Sequence, residues 1–83
     1  MARIVLPGDM AQRFAGGEKE IEVAAGSVRH LISFLEEKFP GIGEVLSSSA
    51  TAVAIDGNIH QNALFETYEE DAEVVFLPAI RGG

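Results

Sequence analysis

Residues 27–41, SVRHLISFLEEKFPG, hold the one long helical pattern in an 83-residue chain. Val28, Leu31, Ile32, Leu35 and Phe39 recur at the spacing that gathers side chains on one helix face. Glu36, Glu37 and Lys38 lie mostly on the other. Ser27 is placed to cap the first turn, because its hydroxyl can accept from a backbone N–H that has no partner inside the helix. Pro40-Gly41 stops the pattern. One such stripe must be buried against something, and everything else in the chain reads as strand or loop. The helix therefore predicts a two-layer α+β domain in which it covers one face of a sheet.

The strands of that sheet follow from shorter patterns. Residues 2–6, ARIVL, read as a strand ended by Pro7-Gly8, and residues 18–24, EKEIEVA, alternate between glutamates and Ile21 and Val23. Residues 7–17 between them read as a hairpin loop with Phe14 as its anchor. TAVAI, 51–55, runs into Asp56-Gly57, a two-residue hairpin signal, and NIHQ is the short return strand. IGEVLSSSA, 42–50, admits one more helical turn before a serine-rich loop. Residues 63–72 read as a loop carrying Leu64, Phe65, Tyr68 and a run of acids. EVVFL, 73–77, is continuously apolar, as expected of a central strand paired on both edges, with Pro78 at its end. A hairpin, a crossing helix and a last strand returning to the middle of the sheet describe a β-grasp, or ubiquitin-like, fold. The expectation is a mixed four- to five-stranded sheet with the first and last strands as its central pair. Residues 1–78 would form the domain and residues 79–83 a flexible tail.

Charge narrows the partners. Thirteen acids against six bases give a net charge of −7. Nucleic acid and anionic membrane surfaces attract clustered Lys and Arg, so neither is expected as a partner. There is no cysteine, hence no disulfide, thiolate metal site or thiol nucleophile. No stretch approaches the ~20 apolar residues that cross a bilayer, and MARIVLPGDM does not read as a signal peptide. A cytoplasmic location is the expectation.

The last five residues, AIRGG, carry the functional signal. Two glycines add nothing to a core, but without side chains they can thread a narrow channel in extended form. The tail would then bring a bare carboxylate on Gly83 into another protein's active site. Neither GxxxxGK[ST] nor GxGxxG is present, so activation of that carboxylate would fall to a partner.

The stretches SVRHLISFLEEKFPGI (27–42), AVAIDGN (52–58) and DAEVVFLPAIRGG (71–83), with the opening strand, resemble the ThiS/MoaD family of ubiquitin-like sulfur carriers, and within it most of all the molybdopterin synthase small subunit. The resemblance implies a chain that is not itself an enzyme and binds no cofactor. A separate adenylating enzyme would use ATP to activate the Gly83 carboxylate. Sulfur from a persulfide donor would convert it to a thiocarboxylate, and a sulfur acceptor such as the synthase large subunit would receive the sulfur. Ile80, Arg81 and Gly82 would thread the partner's active site, with Arg81 meeting an acidic group there. Phe76, Leu77 and Pro78 would dock the tail. Phe76 and Leu77 have a second reading as ordinary packing, since a period of two turns at least one of them inward. The sequence departs from the family in having Asp56-Gly57 for Asn-Gly, Glu70-Asp71-Ala72-Glu73 before the last strand, Ala79 where a second proline is common, and Arg81 in place of a small residue. These leave the carrier reading intact and the acceptor open: cysteine, thiamin, tRNA thiolation or secondary metabolism are alternatives to molybdopterin. A ubiquitin-like modifier joined through Gly83 to lysines is the other class. A plain binding module, indifferent to loss of Gly82-Gly83, is a third.

Other polar groups carry less. Glu66, Glu69, Glu70, Asp71 and Glu73 lack the spacing and turn glycine of a calcium loop and read as a solvated acidic loop. His30 and His60 have no partners at ligand spacing. Ser47, Ser48 and Ser49 sit in no nucleophile-elbow context.

Overall fold

The computed structural model describes residues 1–48, 50–60 and 64–79. Its elements are β1 (Ala2–Val5), α1 (Gly8–Phe14), β2 (Glu20–Val23), β3 (Gly26–Ser27), α2 (Val28–Lys38), α3 (Ile42–Leu46), β4 (Thr51–Ile55), β5 (Asn58–His60), β6 (Thr67–Tyr68) and β7 (Glu73–Pro78). Five strands form one sheet in the order β2-β1-β7-β4-β5, and β3 pairs with β6 in a separate two-stranded ribbon. β1 and β7 are the parallel pair, with Ile4 opposite Val74 and Val5 opposite Val75. The other sheet neighbours are antiparallel. This is the expected β-grasp.

Helix α2 covers one face. Val28, Leu31, Ile32 and Leu35 are buried on it. They meet Ile4, Ile21, Val23, Val53, Val74 and Phe76 in one continuous core. Ser27 is the N-cap, its Oγ accepting from the His30 amide at 3.2 Å. At the far end the Glu36 carboxylate turns back to accept from the amides of Gly41, at 2.9 and 3.1 Å, and Gly43, at 2.8 Å. One side chain thus ties the end of α2 to the start of α3. These amide donors hold the Glu36 carboxyl below its ordinary pKa, Gly41 contributing most. Gly41 itself sits at φ +100°, where Phe14 packs 3.2 Å from the place a Cβ would occupy.

Two expectations change. Residues 7–17 are not simply a hairpin loop: α1 lies within them, with Met10 and Ala11 buried. Ala11 N–H donates to the Pro7 carbonyl to open it, and Gly16 and Gly17, both at positive φ, close it. Phe14 does pack against the core, as expected of an anchor. The acidic loop contains β6, which buries Tyr68 and directs its hydroxyl to the Ala24 carbonyl at 3.1 Å. Burial pushes the Tyr68 phenol pKa up. As expected, β7 is central, paired with β1 and β4 on its two edges. Val74 and Phe76 are 0% and 1% exposed, whereas Val75 and Leu77 are only half-buried. At Asp56-Gly57 both residues have positive φ, 49° and 87°, the primed hairpin turn that its sequence implies. In the return strand, Gln61 lies outside the described residues, as does Ser49 in the serine-rich loop.

Two stability tests follow from the helix ends. Ser27→Ala removes the cap and is expected to cost about 1 kcal/mol in urea unfolding. Glu36 has a lowered folded-state pKa, so its contribution is present above the ordinary carboxyl value and is lost as pH falls through the lowered one. Glu36→Gln should therefore lower Tm near neutrality and flatten the acid limb of a Tm-against-pH curve relative to wild type.

Candidate functional site: the root of the tail and the open sheet face

The last described strand delivers the tail. Pro78 stands opposite Thr51, and the Ala79 amide donates to the Ala50 carbonyl at 2.9 Å. The Ala79 N–H points toward β4, so by strand alternation the Pro78 nitrogen points toward β1. Pairing between β1 and β7 has already ended at Val75. Proline is thus tolerated at the end of a central strand because its missing donor faces no acceptor there. Thr51 is fixed in turn, its Oγ1 donating to the Val45 carbonyl at 2.9 Å. The chain is therefore anchored as far as Ala79. Ile80, Arg81, Gly82 and Gly83 lie outside the described residues.

The sheet face turned away from α2 leads to this anchor. Strand register places Val5, Val75, Ala54 and Ile59 in one row across four strands, and Leu77 beside Ala52 in the next. Val5, Val75 and Leu77 are half-buried, Ile59 is 57% exposed, and Pro78 is exposed. On the side away from the tail the strip is bounded by charge: Arg3 pairs with Glu73 across β1 and β7 and lies 3.8 Å from Glu20 of β2. Glu73 first, then Glu20, raises the Arg3 pKa. The result is an apolar strip with a charged boundary at one end and the root of the tail at the other.

The predicted docking residues divide. Phe76 is a core residue, 1% exposed, so its packing role is the one seen and it offers a partner no surface on this fold. Leu77 lies on the open face, whereas Pro78, two residues on from Phe76, is exposed on the other side of the strand, opposite Thr51. Val5, Val75, Ala54 and Ile59 were not singled out from the sequence. The apolar run of β7 was a signal for Val75, but the others share its face only through strand register. The remaining polar candidates have local partners. Ser47 and Ser48 donate to the Gly43 and Val45 carbonyls of α3. His30 Nδ1 lies 3.0 Å from the Ser27 hydroxyl, and His60 lies 3.9 Å from Glu66. Among the described residues no three acids or histidines are grouped to hold a metal ion, and no helix is long and apolar enough to cross a membrane.

A helix packed on a mixed five-stranded sheet, with the first and last strands as its central parallel pair, defines a ubiquitin-like β-grasp domain. The chain belongs to the ThiS family, whose model matches residues 4–83, and is a sulfur carrier of the ThiS/MoaD type. It is 36% identical over 75 residues to the molybdopterin synthase sulfur carrier subunit of Pyrenophora tritici-repentis, covering 88% of this chain and 81% of that one. Among solved structures, it superposes on a chain of the Amycolatopsis orientalis BexX/CysO complex with a TM-score of 0.84, at 21% identity and full coverage of both chains. The small archaeal modifier protein 1 of Methanosarcina acetivorans gives a TM-score of 0.78 at 20% identity, covering 99% of this chain and 95% of that one. At these identities the two structures establish the fold.

The division of β7 is measurable. Phe76→Ala should cost about 3–5 kcal/mol in urea unfolding, as expected for an aromatic removed from a closed core. Leu77→Ala, on the half-open face, should cost about 1 kcal/mol. Equal costs would contradict the assignment of the two faces.

Proposed function

We propose that the Gly83 carboxylate is the sulfur-bearing group. The observation that carries this reading is the anchored root at Ala79, at the end of an apolar strip, followed in sequence by Ile80-Arg81-Gly82-Gly83. A partner enzyme docks on Val5, Val75, Leu77 and Ile59, and the tail reaches its active site while the domain stays on the surface. Gly82 and Gly83 pass where a Cβ would clash. Arg81 meets an acidic group near the channel mouth, and Ile80 and Pro78 pack at its entrance.

The chemistry belongs to the partners. The activating enzyme joins the Gly83 carboxylate to AMP from ATP, releasing pyrophosphate. A persulfide sulfur displaces AMP from the acyl carbon, and a thiol then cleaves the sulfur–sulfur bond, leaving the thiocarboxylate. The carrier contributes no catalytic side chain and binds no cofactor. It contributes a carboxylate held at a fixed distance from a docking face, so that two reactants meet in one geometry. The 36% identity to a molybdopterin synthase sulfur carrier subunit favours molybdopterin biosynthesis, with a synthase large subunit as the sulfur acceptor.

The test is ATP–pyrophosphate exchange with the cognate activating enzyme. Gly83→Ala, and a variant with one residue added after Gly83, are expected to lose at least about a hundredfold in exchange rate, because a misplacement near 1 Å is enough for that. Circular dichroism should show both folded. Leu77→Asp should raise KM for the carrier by disrupting the docking face. Undiminished exchange by Gly83→Ala would overturn the proposal.

A further inference from the structure

A second surface lies on the opposite side of the sheet and does not involve the tail. β2 is an edge strand, bonded to β1 alone among the described strands. The Leu6 amide donates to the Lys19 carbonyl at 2.8 Å, and Leu6 and Lys19 extend the register of β1 and β2. In an antiparallel ladder the bonded residues alternate, so Ile21 and Val23 also face β1. The backbone N–H and C=O groups of Glu20 and Glu22 therefore point outward along the free edge.

Beside that edge, between the end of β2 and α2, runs a groove of about 390 Å³ lined by Val23, Ala25, His30, Leu31, Phe34 and Tyr68, with Glu22 at its margin. Its floor is apolar: Leu31, Val23 and Tyr68 are buried core residues. Phe34 is 46% exposed on the helix, although α2 otherwise turns its large apolar side chains inward.

The free edge and the groove fit one kind of occupant. A segment adding to β2 would alternate its side chains between the two faces of the sheet. Those opposite Glu20 and Glu22 would lie on the open face, where two carboxylates favour cations across the strand pair. The one opposite Val23 would lie on the helix face, in the groove against Phe34 and Leu31, and the one opposite Ile21 on the same face beyond the groove's lining. A second copy of this chain pairing β2 to β2 would set glutamates against glutamates, which blunts the edge against self-association. We propose that β2 and its groove receive an extended segment of a partner protein in which basic and apolar residues alternate.

The probe is a fluorescein-labelled peptide of alternating Lys and Val, titrated with the full chain and read by anisotropy. Saturable binding at least about tenfold tighter than that of a Lys/Ser peptide and of a Glu/Val peptide is expected, with amide shifts at Glu20 and Glu22. Phe34→Ala should weaken it about tenfold. Should that variant misfold, Glu22→Lys serves: it should weaken the Lys/Val peptide and strengthen the Glu/Val one. No saturable binding overturns the proposal. So does equal binding of the Lys/Ser peptide, which would reduce the effect to net charge. Indifference to Phe34→Ala in a folded variant, or to Glu22→Lys, overturns it as well.

Discussion

The parallel pairing of β1 with β7 joins residues seventy positions apart, as between Arg3 and Glu73, and the rest of the molecule is arranged around it. Its register decides two surfaces together. With Ile4 beside Val74 and Val5 beside Val75, the alternation of both strands sends Ile4, Val74 and Phe76 into the core beneath α2. The same alternation sends Val5, Val75 and Leu77 to the open face. A slip of one residue would exchange the two sets and leave Phe76 in water. Closing so long a loop is entropically costly, and the offset comes from the side chains that this pairing brings under one helix.

Because β7 is central, the tail that follows it inherits a fixed origin. The strand is held on both sides for much of its length, and its last described residue, Ala79, is still bonded to Ala50. Beyond that point the sequence runs through Ile80 and Arg81 to two residues without side chains, Gly82 and Gly83. The proposed sulfur carriage uses a rigid base, an apolar strip beside it and an extension ending in two glycines. The apolar strip spans β1, β7, β4 and β5 on the open face, whereas the groove lies on the helix side at the β2 edge.

The helix, its serine cap, the Asp56-Gly57 turn and the central pair of strands were legible in the sequence because each rests on a local pattern or on one topological rule. Helix α1 was not. It has seven residues, a glycine at its start and a pair of glycines soon after its end, and Met10 and Ala11 are too few to show a period. Ribbon strands β3 and β6 have two residues each, below the length at which alternation means anything. The apolar run of β7 implied pairing on both edges, but composition does not say whether the face turned from the helix is buried or open. Phe76 and Leu77 posed the same ambiguity from the other direction. Knowing that one must face inward does not say which, and the register with β1 and β4 supplied the answer. Val5, Ala54 and Ile59 join Leu77 only across strands, so no linear pattern could have collected them.

Sulfur carriage by this chain comes down to one atom on Gly83. The most direct measurement is the intact mass of the protein isolated from its native host under mild conditions, with the terminal peptide fragmented to locate any change. The expected result is a species in which one oxygen of the Gly83 carboxylate is replaced by sulfur, and its increase when the protein is incubated with ATP, the activating enzyme and a persulfide donor. A carboxylate that stays unmodified through that complete incubation, while the domain is folded and the enzyme is active on a known carrier, would contradict it.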